Sequence, residues 1–245
     1  MAGGIDERSA LLTHLIELRR VFIVCGISVG VLFCVIFGFL IDYIMTWITA
    51  PIQARGIQII YTAMSEALLT KFKVSVIASL IAASPVIIWQ IWSFIKPGLY
   101  PEEQRKLRWL FLLMLGLFLA GVSFCYMVVY SFAVDFFLIQ GTGFASPLLS
   151  LDAYVGFLLS FILPFGISFQ LPAILYLTTR IGWTNYSMLA SKRKYVLLGI
   201  FVIAAVLTPP DVVSQVALGV PLYALYEVGI QVSRFAGKAP AKQGG

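Results

Sequence analysis

Apolar residues run along this chain in long unbroken stretches, not in alternation. Six stretches stand out: Val21–Ile41, Val74–Ile95, Trp109–Val134, Ala153–Thr179, Tyr195–Thr208 and Val212–Ser233. A helix rises about 1.5 Å per residue and a bilayer core is about 30 Å thick, so a span needs about 20 apolar residues. The first four stretches reach that length. The fifth, held between Lys194 and Thr208-Pro209-Pro210-Asp211, has 14 residues and reaches about 21 Å; a run of this length also fits a re-entrant or interfacial segment. The pattern predicts an all-α integral membrane protein with six transmembrane helices, the fifth and sixth short. Pro164, Gly166, Gln170 and Pro172 fall within the fourth span and predict a kink there.

The segments between the spans differ in character. Asp42–Lys73 contains Trp47, Ala50-Pro51 and Tyr61 among apolar residues, and short helices lying at the interface are expected. Asp135–Asp152 holds Gly141, Gly143 and Pro147 and reads as a loop. The tail is too polar to fold, so the expected organisation is one six-helix domain over 1–234 and a disordered tail over 235–245. No internal repeat is visible, which weakens any reading built on inverted-repeat transporters.

Composition turns this pattern into a membrane assignment. The chain of 245 residues is 60% hydrophobic and 11% charged, with a mean hydropathy of +0.97. Charge is too scarce to coat a water-facing surface. Lipid offers no hydrogen bonds, so the backbone must satisfy itself, and continuous runs select helices over a barrel. Cys25, Cys34 and Cys125 sit inside apolar runs without a CxxC pair, and His14 is the only histidine. Neither feature suggests a metal, and no cofactor is expected. The N-terminal segment lacks an A-x-A-like cleavage site and does not read as a cleavable signal peptide.

The net charge of +6 does not point to nucleic acid once its placement is considered. Arg8, Arg19 and Arg20 precede the first span. Lys96, Arg105, Lys106 and Arg108 follow the second, Arg180, Lys192, Arg193 and Lys194 follow the fourth, and Arg234, Lys238 and Lys242 follow the sixth. Only Arg55, Lys71 and Lys73 fall on the other side. The positive-inside rule therefore places both termini in the cytoplasm.

Three motifs recur at the ends of the spans. They are Leu12-Thr13-His14-Leu15-Ile16-Glu17-Leu18-Arg19-Arg20, then Phe94-Ile95-Lys96-Pro97-Gly98-Leu99-Tyr100-Pro101-Glu102-Glu103, and Leu207-Thr208-Pro209-Pro210-Asp211 followed by Ser214-Gln215. Together, and in this order, they resemble the TatC family from about Leu11 to Arg234. The resemblance implies a bacterial inner-membrane protein that binds the twin-arginine signal peptides of folded precursors. It also implies assembly with TatA and TatB, several copies per complex, and translocation driven by the proton-motive force. The implied signal-peptide surface comprises Glu17, Glu103, Phe94, Arg19 and Leu99, with Pro51, Pro97, Pro209, Pro210 and Asp211 shaping the structure.

The chemistry of two adjacent arginines suits this reading. In an extended peptide successive side chains point to opposite faces, so two acceptors on separate segments are needed. Glu17 and Glu103 meet that need, and carboxylates take guanidinium bidentately as they cannot take lysine. On the residues alone, Glu17 also reads as a surface partner of Arg20. Glu103, behind Pro101, also reads as a first-turn acid complementing a helix dipole. Leu11, Leu15, Leu18 and Phe22 form an apolar stripe expected to pack. Asp211 is expected to cap the sixth helix, and Glu66 to be structural. The family pattern often has glutamate where Gln170 stands; glutamine cannot ionise, so a hydrogen-bond role is what remains.

A small-solute secondary transporter is the alternative. It would want charged side chains at mid-depth and paired broken helices, whereas only the fourth span reads as deeply interrupted. An intramembrane hydrolase would need a nucleophile with a base, or paired aspartates, within the spans. The sequence holds neither.

Overall fold

The computed structural model describes residues 3–95, 107–141, 148–208 and 211–236. The chain divides into two compact units, one formed by Met1–Pro51 and Ala67–Leu115, the other by Ile52–Glu66 and Gly116–Gly245. The described residues are predominantly helical. Four helical runs are long and apolar enough to cross a membrane: Ile16–Gln53, Trp109–Phe136, Leu151–Arg180 and Val212–Phe235. A fifth arises if the bent pair Glu66–Ala82 and Ser84–Ser93 counts as one span.

In the first unit, α1 (Gly3–Val35) passes through a π-helical turn at Ile36–Leu40 into α2 (Ile41–Gln53). A helix is therefore found in the expected outside segment, and it continues the first helix through the π-helical turn. Pro51 lies in its last turn; its fixed φ suits a helix, and it only cannot donate to the carbonyl four residues back. Helices α3 (Glu66–Ala82) and α4 (Ser84–Ile95) meet at a 50° bend. Pro85 explains it: a proline has no N–H for the carbonyl four residues back, and its ring crowds that turn. The second span is thus interrupted as well as the fourth, which corrects the reading that only one is broken.

Helix α4 packs on α1. Phe72 of α3 sets its ring edge against Phe33 and Phe37, at 5.1 and 6.3 Å between centroids. The ammonium of Lys71 pairs with Asp42. Leu18 and Phe22 are exposed, so this part of the expected packing stripe faces outward.

In the second unit, Ile59–Ile60 (β1) pairs in parallel with Leu149–Ser150 (β2). Helix α5 (Leu107–Phe124), which the unit boundary divides, continues through a π-helical turn at Cys125–Tyr130 into α6 (Ser131–Gly141). Then come α7 (Leu151–Ser168), α8 (Leu171–Arg180), the short α9 (Tyr186–Ser191), α10 (Arg193–Leu207) and α11 (Val212–Ala236). Helix α11 packs on α8, α10 and α9. Its 15-residue neighbour α10 reaches only about 22 Å, as its flanking residues predict. The sixth helix is not short: α11 has 25 residues and extends about 37 Å.

Aromatic side chains fill the middle of this unit. Phe124 lies 5.8 Å from Phe165 and 5.6 Å from Phe169 between centroids, and Leu158, Phe161 and Phe165 are fully buried. Gly121 lets α7 come close; a Cβ there would sit 2.7 Å from the Phe165 carbonyl oxygen.

Candidate functional site

Glu17 and Arg19 stand on α1 as exposed side chains, ahead of the stretch that carries no charge until Asp42. Phe94 lies in the last turn of α4. Because α4 packs on α1, the segment that leaves α4 and carries the second motif starts from a neighbour of the helix bearing Glu17. Glu103, Leu99 and Pro97 lie outside the described residues, so the geometry joining Glu17 to Glu103 is not part of the picture.

Gln170 occupies the break between α7 and α8 and is buried. Its backbone N–H donates to the Ile167 carbonyl at 3.0 Å and its backbone carbonyl accepts from the Ile174 N–H at 2.9 Å. Pro172, at the start of α8, has no N–H to offer the carbonyl four residues back, and the helix restarts there. The interruption expected from the prolines is found as a turn at Phe169–Gln170, and it holds a neutral polar side chain in the interior.

Three acidic residues have defined structural tasks. Asp211 Oδ1 accepts from the Ser214 N–H at 2.6 Å, which is the expected N-cap of α11. Pro209 and Pro210, just before it, lie outside the described residues. Glu66 is a buried hub. Its Oε2 accepts from the Thr62 N–H and hydroxyl and from the Ala63 N–H, while Oε1 accepts from the Ser150 hydroxyl at 2.6 Å and the Asp152 N–H at 2.9 Å. Every neighbour donates, which is the arrangement an ionised carboxylate accommodates. One side chain thereby ties the turn before α3 to the start of α7, beside the β1–β2 pair.

The third acid is Glu227, on α11. Arg193 donates to it bidentately, Nε to Oε1 at 2.7 Å and Nη2 to Oε2 at 2.9 Å. The Tyr223 hydroxyl donates to Oε1 at 3.0 Å. The spacing of Tyr223 and Glu227, four residues apart on a helix, was a readable signal; Arg193, 34 residues away, was not. Nearby, the Tyr226 hydroxyl donates to the Leu189 carbonyl at 2.9 Å. Among the described residues, no three His, Cys, Asp or Glu side chains gather as metal ligands.

Comparison with known proteins places this arrangement. Residues 13–221 match the family model described as Sec-independent protein translocase protein (TatC). The protein of that name from Carboxydothermus hydrogenoformans is 36% identical over 231 residues, covering 94% of this chain and 95% of the relative. That from Escherichia coli K12 is 36% identical over 235 residues, covering 95% and 91%. A crystal structure described as the twin arginine translocase receptor TatC superposes with a TM-score of 0.84 at 37% identity, over 92% of this chain and all of that one. A second crystal structure, of that receptor in DDM, gives a TM-score of 0.83 at 36% identity over 90% of this chain and 99% of that one. The long apolar helices, the break at Gln170 and the capped turn at Asp211 are therefore those of a membrane-embedded protein-transport component, and the chain belongs to the TatC family of Sec-independent protein translocase proteins.

Proposed function

We propose that this chain is the signal-peptide receptor of a twin-arginine translocase and not an enzyme. It binds the paired arginines of folded precursors at its cytoplasmic face, through Glu17 and Glu103. Phe94, Leu99 and Arg19 complete the surface, and Pro97 shapes the segment between them. It scaffolds TatA and TatB, in more than one copy per complex, in the bacterial inner membrane. Residues 1–234 act as one membrane domain with six spans and both termini in the cytoplasm, and the proton-motive force drives transport. No cofactor enters this scheme. Gln170 contributes by hydrogen bonding, since it cannot titrate, while Pro51, Pro209, Pro210 and Asp211 shape the turns that set the helices.

One observation carries the reading. The family match runs from residue 13 to 221 and so takes in both acidic motifs, and the helices that bear or precede them, α1 and α4, are packed together. Two carboxylates on separate but neighbouring segments suit two guanidinium groups that point apart. Both glutamates stand among the lysines and arginines that the positive-inside rule assigns to that face.

The test is a binding titration in detergent with a twin-arginine signal peptide and its twin-lysine counterpart. Wild type is expected to prefer arginine. Glu17→Ala and Glu103→Ala are each expected to abolish that preference and to weaken binding at least tenfold, with membrane insertion intact. Unchanged affinity in both variants would overturn the assignment.

A further inference from the structure

The second unit carries a cluster of cations that peptide binding does not use. Arg180 ends α8, Lys192 closes α9, Arg193 and Lys194 open α10, and Arg234 lies in the last turn of α11. Three contacts draw the ends of α9, α10 and α11 together. The Tyr226 hydroxyl binds α9 to α11, Arg193 binds α10 to α11 through Glu227, and the Arg234 guanidinium lies 5.8 Å from the Tyr186 ring centre. Between 180 and 236 the only acidic residues are Asp211 and Glu227. Asp211 caps the opposite end of α11, and within this stretch Glu227 is engaged by Arg193. Lys192 and Lys194 are exposed.

What surrounds these charges identifies the partner. Trp183, Tyr195 and Phe235 are all exposed among the cations, the composition that sits at a lipid headgroup layer. Beyond Lys194 the surface turns apolar on one helical face. Leu198, Val202 and Val206 follow at four-residue steps and are 65%, 56% and 79% exposed. Charge at one end and an apolar strip of about 12 Å beyond it match one molecule carrying both, an anionic phospholipid. An acidic protein surface or a free phosphate would account for the lysines and leave the strip unused.

We propose that the α9–α10 corner is a binding site for an anionic phospholipid. Lys192 and Lys194 hold the phosphate, and an acyl chain lies along Leu198, Val202 and Val206. The Arg193–Glu227 pair fixes the corner, so that the two lysines are presented from a rigid helix start.

Native mass spectrometry of the full chain in detergent, titrated with dioleoyl phosphatidylglycerol or dioleoyl phosphatidylcholine, tests this. Wild type is expected to retain phosphatidylglycerol preferentially. Each lysine near a membrane surface contributes about fivefold, so K192Q/K194Q is expected to lower phosphatidylglycerol affinity roughly thirtyfold, with phosphatidylcholine unchanged. K238Q/K242Q removes the same charge from the tail and is expected to leave the preference intact. If the double variant does not elute as a folded species, K192Q and K194Q singly, at about fivefold each, carry the comparison. Equal retention of the two lipids by wild type, no effect of the lysine substitutions, or an equal effect of the tail pair would each overturn the site. So would a soluble polyglutamate peptide that binds through Lys192 and Lys194 when phosphatidylglycerol shows no preference.

Discussion

A single methyl group added at residue 121 is expected to loosen the second unit, while the same group added five residues earlier on the same helix does not. A Cβ on Gly121 would lie 2.7 Å from the Phe165 carbonyl oxygen and 2.9 and 3.0 Å from Cγ and Cβ of Phe169. The first atom is backbone and moves only if α7 moves. The other two are the near end of a side chain whose ring packs 5.6 Å from Phe124, not its tip. Optimal carbon contacts lie at about 3.5–4.0 Å, so α5 and α7 must part by nearly an ångström. Overpacking of this kind costs about 1–3 kcal/mol, and the upper end applies where backbone is the obstacle. Replacing helical glycine by alanine returns about 1 kcal/mol, leaving Gly121→Ala destabilised by about 1–2 kcal/mol. At Gly116 nothing lies within 4 Å, so only the gain is expected there. Gly229→Ala should fall between, since its closest obstacle is the Leu175 Cδ1 methyl at 2.6 Å, a terminal group able to swing aside. Cys125, fully buried on the run that continues α5, supplies the readout. In a variant lacking Cys25 and Cys34, the temperature at which Cys125 becomes open to a maleimide in detergent reports the unfolding midpoint. A Gly121→Ala protein as stable as Gly116→Ala would refute the reasoning.

Other substitutions address the acidic residues. Glu66→Gln must turn its NH2 toward either the Asp152 N–H or the Thr62 and Ala63 N–H groups, all of them donors, so faster hydrogen exchange at those amides is expected by mass spectrometry. Exchange at wild-type rates would show that the hub is not needed. Asp211→Ala removes the cap of α11 and is expected to cost about 1 kcal/mol, with Asp211→Asn restoring most of it in the same unfolding assay. Glu227→Gln keeps an acceptor for Tyr223 but cannot take Arg193 through two oxygens, so the first turn of α10 is expected to exchange faster while α8 is unchanged. Arg193→Lys should reproduce that pattern, since an ammonium cannot supply the fork.

The parts of this fold that were legible in the sequence are those that depend on local chemistry. Long apolar runs locate the helices, Pro172 locates the break at Gln170, and an aspartate ahead of an apolar run locates the cap of α11. Pro85 is equally local, yet it stands inside a run long enough to read as one span, and a proline two residues into a helix is also an ordinary helix start. Pro51 acts differently: its φ suits a helix, and so near the end it costs the helix a single hydrogen bond, so α2 extends α1 instead of forming a separate piece. Glu66 was expected to be structural, but its partners Ser150 and Asp152 lie 84 and 86 residues away, and no spacing rule reaches that far. The same holds for Arg193 and Glu227. The candidate site was legible only through resemblance, because a glutamate beside an arginine on a helix has an ordinary explanation until a second acid on another segment gives it company.

The fifth and sixth helices show how a length read from sequence differs from the length that matters to a membrane. Helix α11 exceeds α10 by ten residues, and the contacts show where the excess lies. Four residues join the end of α10 at Leu207 to Val212, so the two helices begin level at that end. At the other, Arg193, the first residue of α10, is bonded to Glu227. From Val212 to Glu227 is about 22 Å, the same as α10 itself. The remaining turns of α11 run past the start of α10 and pack against α9, through Tyr226 on Leu189 and Arg234 over Tyr186. The pair thus presents about 22 Å of helix between polar ends, against about 30 Å of hydrocarbon. Mismatch of this size is met by thinning, tilting or snorkelling at a fraction of a kcal/mol per ångström. The lysines at the start of α10 stand where snorkelling would occur. The expectation that both helices are short fails for α11 as a helix, yet it describes the stretch of α11 that runs beside α10.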